Sequence, residues 1–167
     1  MTTRARPVAA SAFLLSEASE QEMSLSVQVN QVETNAPQYI VELIKRAVEA
    51  ALQHEQVEEA SVSVTLLENP RIRQMNKKYL DHDRVTDVIS FPLYEKGEQV
   101  VGDIYIGYEQ AQDQAADAGV DLEEEIARVS IHGTLHVLGY DHPEEGDRTR
   151  SDMWQLQETI LSKFSKT

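Results

Sequence analysis

The chain has 167 residues, a length that suits one ordinary globular domain, and its 15 basic and 29 acidic side chains give a formal net charge of −14 at pH 7. This negative charge repels polyanions at long range and argues against a surface dedicated as a whole to nucleic acid, although it does not forbid a local basic patch. Because the sequence has no cysteine, disulfides and thiolate ligands are excluded, and a tightly bound transition metal must be held by His, Asp or Glu.

Residues 1–22 differ in composition from the rest of the chain. They are rich in Ala, Ser and Thr, carry two early arginines and have no acidic side chain before Glu17. This composition predicts a disordered N-terminal extension, with a transit peptide as the alternative. Residues 23–167 are the predicted folded domain. They contain no run of about 20 apolar residues of the kind that spans a membrane, which predicts a soluble protein.

Four segments have the composition of β-strands. Two of them alternate apolar and polar residues, and the other two are rich in β-branched residues and are separated by a turn that contains Gly97. The turn predicts that the last two strands form a hairpin. The predicted strands cover residues 25–32, 60–67, 85–93 and 100–108.

Five segments have apolar residues at helical spacing. Asn69 followed by Pro70 predicts the start of one helix, Asp121 with Glu124 predicts a capping box at the start of another, and Gly119 predicts a helix end. The predicted helices cover residues 36–54, 69–79, 109–118, 122–138 and 144–164.

Three of the five histidines lie within eleven residues of one another. His132 and His136 are four apart on a predicted helix, so their side chains differ by only about 40° in azimuth and can reach one point. Gly139 lets the chain turn at the helix end through a left-handed conformation, which brings His142 back as a third ligand. Three neutral imidazoles with an open fourth position suit a catalytic zinc.

The spacing His-x3-His-x2-Gly-x2-His is also that of the metzincin proteases, but Gly133 stands where their general-base glutamate belongs. The spacing therefore predicts metal binding without the protease mechanism. Asp141 is expected either to accept a hydrogen bond from a ligand imidazole or to cap the turn. Glu125 lies about 10 Å from His132 along the helix axis, too far for ligation. It is expected to support the ligands, to face the substrate or to lie on the surface.

Several strings resemble the signature of the YbeY family, bacterial metal-dependent endoribonucleases implicated in ribosomal RNA maturation. The resemblance rests on HGTLHVLGYDH at 132–142, TDVISFP at 86–92, GDI at 102–104, the glutamate-rich start of the histidine helix, and Asn76 with Tyr79. All of these strings occur in the family's order and spacing. The resemblance covers roughly residues 23–160.

The resemblance implies an α+β fold in which a mixed four-stranded sheet is flanked by about five helices, in a three-layer, zincin-like arrangement. It implies one Zn²⁺ per chain held by His132, His136 and His142, single-stranded RNA as substrate, and the ribosomal small subunit as partner. The implied role is cytoplasmic maturation of the 3′ end of small-subunit ribosomal RNA and ribosome quality control. Nickel, cobalt or copper would suit the same ligands, and the oligomeric state stays open.

The chain departs from the family at Leu80, where a functional arginine usually follows the Asn-x-x-Tyr pair. Arg84 is a candidate to replace that cation and, with Glu125 and Asp141, is one of three candidates for a catalytic role. The segment from Arg71 to Arg84 is locally basic in an acidic chain, which predicts a surface that contacts phosphates. Its five candidate substrate-binding residues are Arg71, Arg73, Lys77, Lys78 and Arg84.

Two mechanisms and two rival functions stay open at this stage. Either a metal-activated water or the 2′-hydroxyl of RNA could attack the phosphodiester. One rival function is a metal-dependent peptidase or other hydrolase that does not act on RNA. The other is a ribosome-assembly factor with a structural metal, which the absence of an arginine at Leu80 favours. Asp87 and Ser90 match the family's strings but are expected to be structural, and His54 and His82 are expected on the surface.

Overall fold

The computed structural model describes residues 22–167, and a mixed sheet of four strands lies at its centre. The strands are β1 Ser24–Val32, β2 Glu59–Leu67, β3 Val88–Pro92 and β4 Val100–Gly107. Their order is β1-β2-β4-β3, where β1 pairs with β2 and β2 with β4 in parallel, and β3 pairs with β4 antiparallel. The predicted hairpin and the α+β fold are thereby confirmed. The extension predicted for residues 1–22 lies, apart from Glu22, outside the described residues.

Five α-helices flank the sheet, as predicted, and the bounds of four agree closely with the prediction. The fifth, however, begins at Asp152 and not near residue 144. The Ser151 hydroxyl accepts the Trp154 backbone N–H at 3.2 Å and so caps this later start, while Gly146 holds the preceding loop at a left-handed φ of 97°. The helices are α1 Gln38–His54, α2 Asn69–Leu80, α3 Tyr108–Ala118, α4 Leu122–Val137 and α5 Asp152–Phe164, with a short 3₁₀ turn at Arg148–Arg150.

The main core lies between one face of the sheet and the helices α1 and α4. Strands β2 and β4 alternate, so that every second residue, among them Val64, Leu66, Ile104 and Ile106, is fully buried on this face. Helix α5 packs on α1 and α4 from outside, while Ile72 of α2 packs on the opposite sheet face. This layering places the end of α4 beside β3 and β4. Within the described residues no helix is long and apolar enough to cross a membrane.

Two glycines allow α4 to approach the sheet closely. A Cβ atom at Gly133 would lie 2.9 Å from Cγ2 of Ile104, and one at Gly102 would lie 2.5 Å from Cγ1 of Val137. Both distances are below normal van der Waals contact, so neither position has room for a side chain. The last turns of α4, which carry two of the candidate ligands, are therefore held directly against β3 and β4.

Two predicted helix caps differ in detail from the structure. Helix α2 follows Glu68, and Asn69 is already helical, with its Oδ1 buried and without a hydrogen-bond partner among the described residues. Asp121 does occupy the cap position of α4, but its side chain makes no capping hydrogen bond. The acidic side chains of the first turn of α4 stabilise the helix dipole instead.

Candidate metal centre and its surroundings

Three histidine rings converge at the end of α4. His132 and His136 project from successive turns of the helix, and Gly139, with φ of 96°, turns the chain so that His142 returns to them. The ring centroids lie 4.6, 5.0 and 5.2 Å apart. One nitrogen from each ring lies within 4.8 Å of the others, so the three residues could hold a metal ion.

Acceptors outside the cluster fix the orientation of the two helical rings. Nδ1 of His132 lies 2.6 Å from Oε1 of Gln157, and Nδ1 of His136 lies 3.0 Å from the carbonyl oxygen of Tyr140. Because an amide oxygen and a carbonyl only accept hydrogen bonds, each Nδ1 carries the proton and donates it. Each Nε2 therefore keeps a free lone pair, which is the tautomer that a metal ligand needs.

The third ring has a similar arrangement, since Nδ1 of His142 lies 3.2 Å from the carbonyl oxygen of Pro143. The Nε2 atoms of His132 and His136 lie only 3.0 Å apart. Two lone pairs that face each other at this distance repel unless a cation lies between them. Nitrogen ligands at about 2.0–2.1 Å from a tetrahedral zinc are about 3.3 Å apart, so the spacing of this pair fits such an ion.

Burial favours the neutral form of the two helical ligand rings. It lowers the pKa of His132, against a smaller opposing effect of the hydrogen bond with Gln157. Burial and the neighbouring His132 lower the pKa of His136 to about 4. Both imidazoles are thus unprotonated at neutral pH, and a metal does not have to displace a proton from them.

A buried polar network supports His132 from behind. Gln157 is only 1% exposed, and its Nε2 donates to Oε1 of Glu158 at 3.2 Å. The same Oε1 accepts from Nε of Arg128 at 2.9 Å, and Nη1 of Arg128 donates to Glu125 at 2.9 Å. Sequence reasoning missed Gln157. Its position on the apolar face of α5, four residues after Met153, was the available signal, since a buried amide needs a partner.

The centre lies where two spaces meet. An open groove of about 720 Å³ runs past all three histidines. A second cavity of about 660 Å³ adjoins His132 and is bounded by α3, α4 and α5. The residues that line both spaces are Asp87, His132, His142 and Arg148.

Sequence comparison identifies the family. The family model described as "Endoribonuclease YbeY" matches residues 24–165. The chain belongs to the YbeY family. It is 39% identical over 155 residues to "Endoribonuclease YbeY" of Bacillus mycoides, covering 85% of this chain and 97% of that protein. It is 46% identical over 106 residues to the protein of the same name from Acholeplasma laidlawii, covering 64% and 76%.

The fold of this YbeY-family protein is similar to a solved one. The solution structure of TM1509 from Thermotoga maritima superposes with a TM-score of 0.60 at 27% identity, covering 84% of this chain and 89% of that chain. The two chains therefore share the same overall fold.

The candidate catalytic residues lie in different parts of the site. Arg84 is exposed and lines the groove beside Leu80. Asp141 also lines the groove, but its Oδ1 accepts the backbone N–H of His142 at 2.8 Å, so it caps the turn. Glu125 lies on the wall of the second cavity and is 8% exposed. The alternative of simple surface exposure for Glu125 was therefore wrong.

Buried Asn76 positions Arg84, because its Nδ2 donates to the Arg84 carbonyl at 3.0 Å. The other four candidate cations lie outside the groove. Arg71 pairs with Glu33 at 3.1 Å, and Lys78 lies over the Tyr79 ring at 5.1 Å. The remaining two, Arg73 and Lys77, pair with Asp83 at 2.9 and 3.8 Å. Of the five candidate cations, only Arg84 lines the groove with the histidines. Arg148 also lines the groove, although sequence reasoning did not single it out.

Ser90 of β3, which matches the family's strings, makes a structural contact, as expected from the sequence. Ser90 Oγ donates to the carbonyl oxygen of Gly133 at 2.9 Å and so joins β3 to α4. A glutamate at position 133, as in the proteases, would point at the sheet and not at the ligands. His82 is exposed at the groove, and His54 lies beside Lys163 at 3.3 Å. Neither belongs to the ligand cluster.

Proposed function

We propose that this protein is a zinc-dependent, single-strand-specific endoribonuclease that matures the 3′ end of small-subunit ribosomal RNA and contributes to ribosome quality control. The observation that carries the proposal is the set of three imidazoles, oriented by their own acceptors, on the floor of an open groove in a YbeY-family fold. The relatives are named endoribonucleases, which supports RNA as the substrate. The ribosomal small subunit is the proposed partner, and the cytoplasm is the proposed location.

His132, His136 and His142 would hold the zinc ion. When bound, such an ion supplies a Lewis acid for a phosphoryl oxygen and increases the acidity of water. Arg84 and Arg148 border the same groove, where their guanidinium groups can bind the phosphates on either side of the reacting one. The Nδ1 hydrogen bonds keep each ring in its binding tautomer throughout.

The groove suits a single strand. It is open along one side, and the backbone of a splayed RNA can lie in it while its bases turn away from one another. Asp141, Glu144 and Glu145 line the same groove as Arg84 and Arg148, so the backbone phosphates would pass close to the two arginines and away from the carboxylates.

A chelator experiment tests the proposal. Zinc-loaded protein is expected to cleave a single-stranded RNA, to lose the activity with chelator, and to regain it with zinc. The variant in which all three ligand histidines become alanine should be inactive, whereas His54→Ala should remain active because His54 lies outside the cluster. RNA cleavage by the triple variant would contradict the proposal.

An assembly factor with a structural metal is the second candidate function, and Leu80 is the observation that favours it. This apolar side chain is 47% exposed and lines the groove where the family usually has an arginine. Chelator-insensitive binding to small subunits, without cleavage of RNA or casein, would support this function. Casein cleavage without RNA cleavage would support the peptidase.

A further inference from the structure

The second cavity beside the metal centre combines apolar, aromatic and carboxylate side chains in its wall. Its volume of about 660 Å³ lies within the usual range for small-molecule sites, about 300–1,000 Å³. The side chains of Val120, Val129, Met153 and Trp154 form its apolar part. Trp154 is the only tryptophan of the chain and is partly exposed in the cavity, so one of its faces can stack on an unsaturated ring.

The polar part of the wall is a pair of carboxylates held together by an amide. The amide nitrogen of Gln114 lies 3.2 Å from Oε1 of Glu125 and 3.3 Å from Oδ2 of Asp87, in the orientation that satisfies both groups. Arg128 binds the second oxygen of Glu125 at 2.9 Å. These residues come from α3, α4 and the loop before β3, so the fold itself assembles the acceptors.

This wall selects for a neutral ligand with N–H groups. Asp87, Asp117 and Glu125 all line the cavity, and their charges repel a phosphate. Arg128 does not offset them, because three glutamates already bind it, Glu124, Glu125 and Glu158. Carboxylate oxygens accept hydrogen bonds from amino groups, as they do from the N4 amino group of cytosine.

The cavity is also within reach of the RNA that the groove would bind. Asp87, His132, His142 and Arg148 line both spaces, so a nucleotide with its phosphate at the histidines can place its base in the cavity. A base that leaves the stack is commonly read in this way, by hydrogen bonds to its edge and by apolar or aromatic contact with its faces.

We propose that this cavity binds the base next to the scissile phosphate and prefers the amino-bearing bases adenine, cytosine and guanine to uracil. The proposal rests on the proposed ribonuclease function. Uracil has a single donor on its pairing edge, N3–H, and the two carbonyl oxygens that flank it would face the carboxylates of Asp87 and Glu125. Carbonyl oxygens held against carboxylates repel them, which disfavours uracil about tenfold or more.

The fluorescence of Trp154 reports directly on occupancy of the cavity. Zinc-loaded protein is titrated with the 5′-monophosphates of adenosine, cytidine, guanosine and uridine, and with ribose 5-phosphate as the ligand without a base. We expect quenching by the three amino-bearing nucleotides, about tenfold weaker binding of uridine 5′-monophosphate, and no quenching by ribose 5-phosphate. Equal binding of all four nucleotides, or no quenching by any of them, would overturn the proposal.

A substitution at Glu125 tests the source of the preference. Glu125→Gln replaces one acceptor oxygen by a donor and should reduce the preference for adenosine over uridine to within about threefold. The same change at the exposed residue Glu123, Glu123→Gln, is the matched control and should leave the preference for adenosine over uridine unchanged. Asp87→Asn should act like Glu125→Gln and serves as the second variant if Glu125→Gln does not fold, as judged by circular dichroism. If both folded variants kept the wild-type preference, the proposal that Glu125 and Asp87 select the base would be overturned.

Cleavage assays separate this proposal from the ribonuclease proposal. Cleavage of matched oligonucleotides that differ only in the base beside one scissile bond should follow the same preference. Chelator-sensitive cleavage without any base preference would refute the base pocket and leave the ribonuclease standing. Selective nucleotide quenching in a protein that cleaves no RNA would refute the ribonuclease and leave the pocket as a nucleotide site.

Discussion

Oε1 of Gln157 lies 2.6 Å from Nδ1 of His132, and this contact joins α5 to the metal-binding turn of α4. Gln157 is a positioning residue for the metal site, because it reaches the ligand cluster through the ring of His132. Residues that orient a ligand ring in this way commonly change metal affinity by about 10–100-fold when they are replaced.

We therefore predict that Gln157→Leu weakens zinc binding by about 10–100-fold. The leucine cannot accept the Nδ1 proton, so the ring can rotate and populate the wrong tautomer. The measurement is the zinc Kd by competition with a chelating dye, which does not depend on catalysis. Gln155→Leu, on the exposed side of the same helix, is the control and should keep the wild-type Kd. Equal affinities of the two variants would contradict the positioning role.

We predict that Gly133→Ala lowers the free energy of unfolding by about 1–3 kcal/mol, the usual cost of overpacking. The added methyl group would lie 2.9 Å from Ile104 and 3.0 Å from Val88. Alanine normally stabilises a helix interior over glycine by about 1 kcal/mol. A loss of stability would therefore show that close packing against the sheet outweighs helix propensity. Urea denaturation of the metal-free protein measures the change, and a gain in stability would show that α4 does not approach the sheet so closely.

The chain should bind RNA more tightly when Leu80 is replaced by arginine. Leu80→Arg places a cation in the groove, where one more phosphate contact makes the salt dependence of binding steeper by about one unit of slope. Leu93→Arg adds the same charge at a residue that is 55% exposed and outside the groove. Fluorescence anisotropy with a labelled RNA at several salt concentrations compares the two. If both variants increased the RNA affinity equally, the increase would come from the net charge alone and not from a contact in the groove.

Removal of the Arg84 side chain should weaken RNA binding, which is the opposite of the effect expected for Leu80→Arg. Arg84→Ala is expected to weaken RNA binding at all sequences alike and to reduce the salt slope by about one. Arg71→Ala removes a cation that is paired with Glu33 and lies outside the groove, so its effect should be smaller. If Arg71→Ala weakened binding more than Arg84→Ala, the RNA path would run over the exposed surface of α2 instead.

The ligand cluster could be predicted because helix geometry determines it locally. His132 and His136 lie one turn apart on any α-helix, and Gly139 supplies the left-handed turn that returns His142. The strands were predictable for a similar reason, because alternation along β2 produces one buried face.

Contacts between distant segments could not be predicted in this way. Gln157 meets His132 only because α5 packs across α4, and the wall formed by Asp87, Gln114 and Glu125 joins three elements. The local charge of residues 71–84 was also a poor guide to the groove. The helical periodicity of α2 and the contacts of its side chains direct its four cations away from the histidines, and the loop after the helix carries Arg84 to them.

The decisive measurement is the ligand environment of bound zinc. X-ray absorption spectroscopy on freshly purified protein should show zinc with three imidazole nitrogens at roughly 2.0–2.1 Å and one further light-atom ligand, and metal analysis should give about one zinc per chain. Replacing any one of His132, His136 and His142 by alanine should remove one imidazole or the zinc itself. Zinc bound with fewer than three imidazoles, or bound unchanged after these replacements, would contradict the three-histidine zinc site.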